Sequence, residues 1–339
     1  MDNRQKILVI KLRAIGDVIL ATPVLENLRQ AFPPAQIDFL TEKMCAPIVA
    51  GHPAINEILI LDRNQPGASR KLIQQVRRQR YDVVLDLFGN PRSAVLTLLS
   101  GASRRVGFRF RVRQHAYNLK VVPRGDRVHE VEFNLDALRA LGIPIVTRKL
   151  FVAVDEASEN FAAQFWRENG LENRRVIGLN ASGGWYTKRW PLEYFAQLGD
   201  RLRRELNAVV LLLWGPGEYE DVKTIAQTMR ESALFAPATN LKQLAALLAR
   251  LTLLVSNDSG PLHLAAAMGT RVVGIYGPTR PDLQGPWGEG HAIVVKTGLA
   301  CLGCNGVTCK IATHDCMKQL EVEKVWEAAQ RLIGKADRI

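Results

Sequence analysis

Short apolar runs alternate with longer amphipathic stretches from one end of the chain to the other. Residues 7–10 read Ile, Leu, Val, Ile, the pattern of a strand buried on both faces. Val18, Ile19, Ala21, Leu25 and Leu28 then recur at the spacing of one helix face. Further strands are predicted at 36–40, 57–61 and 82–87, with helices over 17–32, 69–80 and 130–141. Pro23 fits a first turn, and Gly142-Ile143-Pro144 punctuates the end of this half. The signals then restart, with strands at 176–179, 208–213, 251–256, 272–276 and 292–295. Helices are predicted over 191–206, 218–230, 241–249, 259–268 and 322–333. Such alternation predicts parallel sheets covered on both faces. The expectation is an α/β protein of two doubly wound, Rossmann-like domains, 1–150 and 170–320, joined near 145–175 and followed by a docked helix within 321–339. Ligands of such domains sit at the carboxyl edges of the sheets, here in an interdomain cleft.

A length of 339 residues suits two cores of roughly 150 residues each. The net charge of +12 changes the picture more, because it favours an anionic partner: a phosphorylated substrate, an acidic lipid surface or a nucleic acid. No recognised nucleic-acid module accompanies that charge. The chain shows no cationic apolar leader, and no apolar run approaches the roughly 18 residues of a membrane span. The expected location is therefore cytoplasmic, with any membrane contact peripheral.

Candidate chemistry gathers where predicted strands end. In Lys11-Leu12-Arg13-Ala14-Ile15-Gly16-Asp17, a buried strand hands one carboxylate to a helix start, where Asp17 serves either as a cap or as a reactive group. Ser256-Asn257-Asp258-Ser259-Gly260-Pro261-Leu262-His263 follows another strand and opens an Ala-rich helix. Free amides there, with Gly260 and the Ser259 hydroxyl, suit a phosphate or diphosphate, whereas Asp258 or Ser259 as a simple cap is the plainer alternative. Asn180-Ala181-Ser182-Gly183-Gly184-Trp185-Tyr186-Thr187-Lys188-Arg189 is a Gly-rich loop with hydroxyls and two cations, either an anion cradle or a solvated basic loop. Glu218, with Glu220 as competitor, follows a strand where an acid can bond ribose hydroxyls or cap a helix. Neither G-x-x-x-x-G-K-[ST] nor a first-turn G-x-G-x-x-G occurs, which disfavours P-loop and nicotinamide enzymes. Arg104, Arg105, Arg109, Arg111 and Arg113 form a basic cluster, either a solvated loop or a contact for anionic acceptor groups. Cys301, Cys304, Cys309 and Cys316 crowd together, either as a structural zinc site or as reduced thiols, while Cys45 stands alone.

These motifs resemble glycosyltransferase family 9, the bacterial heptosyltransferases of lipopolysaccharide inner-core assembly. The resemblance rests on 10–17 with Thr22-Pro23, on Thr187-Lys188-Arg189-Trp190-Pro191, on 257–263, on Gly277-Pro278-Thr279 and on the cysteine group. It implies a GT-B fold with an N-terminal acceptor-binding and a C-terminal ADP-sugar-binding domain. It also implies inverting transfer of heptose from ADP-heptose to a lipid-linked, anionic core acceptor at the inner face of the inner membrane, without a metal in the chemistry. By motif, Asp17 resembles the catalytic base and Lys188 the residue that neutralises the donor diphosphate. Ser182, Thr187, Lys188, Glu218, Asp258, Ser259, Gly260 and His263 are implied to bind the donor. The opening and the cysteine-rich tail look closest to enzymes adding later core heptoses, the third-heptose type included. The other readings are a GT-B transferase with a different nucleotide sugar or acceptor, and a nucleotide-sugar binder without turnover.

Overall fold

A computed structural model of the chain describes residues 5–125 and 127–334. The chain divides after Ala153 into two compact units.

In the first unit, strands β1 (Lys6–Ile10), β2 (Gln36–Glu42), β3 (Glu57–Leu61), β4 (Val83–Asp86), β5 (Arg104–Phe108) and β6 (Leu119–Val121) form one sheet. Its order is β3-β2-β1-β4-β5-β6, and every pairing is parallel. This is the winding of dinucleotide-binding folds, and its switch point lies between β1 and β4. Ile7, Leu8, Val9 and Ile10 are fully buried, as a central parallel strand requires.

The helix predicted over 17–32 is two helices, Ile15–Ile19 and Thr22–Ala31. The cause is Pro23, which lacks the N–H that would bond Ile19; the Thr22 hydroxyl takes the Ile19 carbonyl instead, at 2.7 Å. Pro23 thus stands in the first turn of the second helix. The basic cluster, for which a solvated loop is one of two readings, is mostly regular structure, with β5, a 3-10 helix Arg111–Ala116 and β6. Glycine is required at 107, where a Cβ would stand 2.5 Å from the Tyr117 ring. Tyr117 in turn donates to Asp86 at 2.7 Å. The joining stretch also holds an unexpected helix, Glu156–Glu168, begun by Asp155, whose side chain accepts from Ser158 N.

The second unit repeats the winding. Strands β7 (Val176–Asn180), β8 (Val209–Leu213), β9 (Leu234–Phe235), β10 (Leu253–Asn257), β11 (Val272–Tyr276) and β12 (Ala292–Val295) are ordered β12-β11-β10-β7-β8-β9, again all parallel. Its switch point lies between β7 and β10. Helix Val322–Gly334 buries Val325, Trp326, Ala329, Leu332 and Ile333 in this unit's core. Val325, Leu332 and Ile333 each contribute about 1.5–3 kcal/mol on burial, enough to hold the helix down. Among the described residues no helix is long and apolar enough to cross a membrane.

Candidate active site

Most of the predicted site residues fall at the carboxyl edges of the two sheets, beside their switch points. In the first unit, Lys11 to Asp17 leave β1 next to the end of β4. Asp17 occupies the third position of helix Ile15–Ile19 and is half-buried. Its Oδ2 accepts the Ala14 N–H at 2.8 Å. Capping is therefore real, but it uses one oxygen; among the described residues Oδ1 has no hydrogen-bond partner. A carboxylate held by one atom and open at the other is the arrangement a general base needs.

In the second unit, the loops after β7 and β10 are stitched together by two asparagines that end those strands. Asn180 Nδ2 donates to Ser256 Oγ at 2.8 Å and to Ser259 Oγ at 2.9 Å, while Asn180 Oδ1 accepts from Ser182 Oγ at 2.7 Å. Asn257 accepts from Trp190 N at 3.1 Å and donates to Ala181 O at 2.7 Å. Lys188 Nζ is 2.7 Å from Asp258 Oδ2 and lies over the Trp185 ring at 4.6 Å. Thr279 Oγ1 donates to the same Asp258 oxygen at 2.7 Å, and His263 Nε2 stands 4.0 Å from Oδ1. The Asp258 side chain is 5% exposed and that of Lys188 17%, so the acid is the buried anchor and the ammonium reaches outward.

Helix Gly260–Ala267 starts without a side-chain cap: Ser259 stands at the N-cap position, but its hydroxyl is bonded to Asn180. The plain capping reading of Asp258 and Ser259 does not match this geometry. An uncapped helix start beside a clamped ammonium has the chemistry that suits an anion.

Ser182, Lys188, Asp258, Ser259, Gly260 and His263 are thus brought together, and two candidates stand apart from them. Thr187 is buried, and its hydroxyl donates to Gly306 O at 2.8 Å, facing the cysteine segment. Glu218 sits beyond β8, with Oε2 accepting Gly215 N–H at 2.9 Å across its own turn. Arg189 is also committed elsewhere, to Gly183 O and to Asp221, both at 3.1 Å. Arg105 and Arg113 donate to backbone carbonyls of Ala102, Ala116 and Gly89, so these members of the basic cluster brace loops. Asn180 and Thr279 stand inside quoted motifs, but the sequence alone assigns neither a role of its own. The signal for Asn180 was a polar residue ending an apolar run at a switch-point strand.

The cysteines carry no disulfide. Cys301, Cys304, Cys309 and Cys316 line a cavity of about 70 Å³ with His314, whose Nε2 is 2.8 Å from Thr187 O. Among the described residues no three His, Cys, Asp or Glu side chains form a group able to hold a metal ion. The segment braces the loop that carries Lys188.

The sequence profile of glycosyltransferase family 9 (heptosyltransferase) matches residues 69–314. A lipooligosaccharide heptosyltransferase 2 of Campylobacter jejuni is 34% identical over 167 residues, 47% of this chain. The match covers 51% of that relative, so the chain spans about half the length of its Campylobacter counterpart. Lipopolysaccharide heptosyltransferase 1 of Pseudomonas aeruginosa is 27% identical, over 90% of this chain and 87% of its own. Lipopolysaccharide heptosyltransferase 3 of Escherichia coli is 28% identical, over 81% and 84%. Among solved structures, a family 9 glycosyl transferase of Veillonella parvula superposes with a TM-score of 0.89 at 25% identity, covering 98% of both chains. The Escherichia coli ADP-heptose lipopolysaccharide heptosyltransferase II gives 0.80 at 25% identity, covering 98% of this chain and all of that one.

Proposed function

The chain belongs to glycosyltransferase family 9, with the two-domain, Rossmann-like GT-B fold of a glycosyltransferase, and we propose that it transfers heptose from ADP-heptose to a lipopolysaccharide core acceptor with inversion at the anomeric carbon. The carrying observation is the division of chemistry between the switch points. The first has a carboxylate with an open oxygen, and the second has a clamped ammonium beside an uncapped helix start.

In the proposed step the acceptor hydroxyl gives its proton to Asp17 Oδ1. Its oxygen attacks the anomeric carbon from the face opposite the leaving group. The bond from that carbon to the diphosphate oxygen breaks, and the electron pair leaves with ADP. Lys188 and the amides at Ser259 and Gly260 offset the charge that develops there. Asp258 and Thr279 keep the ammonium in place, and Ser182 fixes Asn180, which aims Ser259. Glu218 bonds the ribose of the donor from the end of the neighbouring strand β8, where dinucleotide folds carry their ribose acid. A charge of +12 suits an anionic, lipid-linked acceptor and work at the cytoplasmic membrane surface.

The test is a panel of ADP-, UDP- and GDP-sugars incubated with purified protein and core acceptors, with the product linkage read by NMR. The expected outcome is transfer from ADP-heptose alone, with anomeric configuration opposite to that of the donor. Retained configuration would remove the single-displacement mechanism. Donor binding without transfer to any acceptor would favour the non-catalytic binder.

A further inference from the structure

A cavity of about 370 Å³ opens in the first unit, lined by Ile10, Leu12 and Leu61 from the sheet edge and by Leu72, Ile73 and Leu96 from two helices. Those helices, Ala68–Gln79 after β3 and Pro91–Leu99 after β4, start at the carboxyl edge of the sheet and pack against each other. Polar groups enter the lining only near the helix starts, at Ser69, Arg92 and Ser93, and the Ser93 hydroxyl already donates to Asn90 O at 3.1 Å. The volume suits a small-molecule ligand. A sugar or a nucleotide would find almost no hydrogen-bond partners on these walls, whereas a hydrocarbon chain needs none.

The charges at the mouth point to the other end of the same ligand. Helix Ala68–Gln79 carries Arg70 and Lys71 in its first turn, helix Pro91–Leu99 carries Arg92, and neither helix contains an acidic residue. A helix start is the positive end of the dipole, so cations there work against the helix unless an anion lies among them. All three are exposed, and among the described residues no acidic side chain pairs with them. Helix Ala68–Gln79 also begins without a side-chain cap. Arg70 and Arg77 stand three and four residues from Ile73 and so share its face beside the cavity. On helix Pro91–Leu99 the outer face is apolar, with Val95 50% and Leu98 48% exposed and Leu99 beside them.

We propose that this cavity binds one phospholipid of an acidic bilayer: an acyl chain enters between the two helices, its phosphate lies at their starts among Arg70, Lys71 and Arg92, and Val95, Leu98 and Leu99 enter the bilayer interface. Apolar insertion beside a basic patch is how peripheral proteins hold acidic membranes. The cavity decides for a lipid over an acidic peptide, because a peptide backbone brings polar groups that these walls leave unsatisfied. The site itself does not depend on the transfer proposed above. Its service to that reaction does, by bringing the first unit to a surface that holds a lipid-linked acceptor.

The experiment is co-flotation of the full-length protein with vesicles of phosphatidylcholine alone and of phosphatidylcholine mixed equally with phosphatidylglycerol. Wild type is compared with Arg70→Gln combined with Arg92→Gln, with Leu98→Asp and with Ile73→Trp, which fills the cavity. Thermal unfolding of each checks the fold, and Leu98→Asp, on an exposed position, keeps the test decisive if Ile73→Trp unfolds. The expected result is binding to the acidic vesicles only, weakened by high salt. Loss of two cations should lower the partition constant about twentyfold, near fivefold for each. Leu98→Asp and Ile73→Trp should each lower it by at least about tenfold. Equal binding to neutral vesicles, no binding to either, or acidic-vesicle binding that survives Leu98→Asp or a folded Ile73→Trp overturns the proposal. Vesicle binding by a protein that transfers no sugar would overturn the proposed function and leave this site standing.

Discussion

Single residues carry the chemical distinctions, and several were visible as residue types in place. Asp17, Lys188 and Asp258 were marked by standing at strand-to-helix turns, and the coordinates add which oxygen is open and which ammonium is clamped. Thr187 was not readable in this way. A hydroxyl in a Gly-rich loop suggests a ligand contact, and only the three-dimensional path reveals that it faces Gly306. The cysteines were equally ambiguous, because spacing does not report burial. Burial pushes the Cys316 thiol up to about 11 and Cys45 up to about 12, while Cys304 is exposed. Thiolate is the reactive form, so at pH 8 iodoacetamide should modify Cys304 first and leave Cys45 and Cys316 for last. Peptide mass spectrometry over a time course reads the order, and early labelling of Cys45 would contradict it.

At the scale of elements, the central strands were legible because continuous apolar runs admit few alternatives. The misread elements have local causes. Pro23 splits a periodic stretch whose apolar spacing continues across the break, and periodicity alone does not see a missing N–H. Strand β5 is masked by Arg104 and Arg105, whose long stems leave the charged ends in water, and β6 is only the three residues Leu119–Val121, too short for a period to show. A buried histidine gives this unit a pH dependence. His52 accepts from Ala54 N at 3.1 Å, packs edge-on to Phe151, and is lowered to about 4 by burial. The unfolded chain, with a histidine pKa near 6.5, binds more protons than the fold between those values, so stability falls as pH drops through that window. From pH 6.5 to 5 the loss is between about 1 and 2 kcal/mol. Urea unfolding of wild type and His52→Gln at the two pH values should show that difference in the wild type alone.

At the scale of the whole molecule, one winding occurs twice, and each copy carries candidate residues at the carboxyl edge of its own sheet. The repeated alternation makes both units legible, whereas the point at which the strand order reverses is not written in that alternation. What composition and motif leave open is specificity. Relatives named heptosyltransferase 1, 2 and 3 match this chain at 27%, 34% and 28% identity, so overall similarity does not separate them, and binding residues sit disproportionately on loops. The central claim is that the first unit supplies the proton acceptor and the second holds the donor. It is tested most directly by Asp17→Asn, with turnover and ADP affinity measured on the same preparation. The account predicts that turnover falls by a factor of about 10²–10⁴, as for loss of a general base, while ADP binds as tightly as to the wild type. Turnover within a few-fold of wild type, or ADP affinity lost together with turnover, would contradict it.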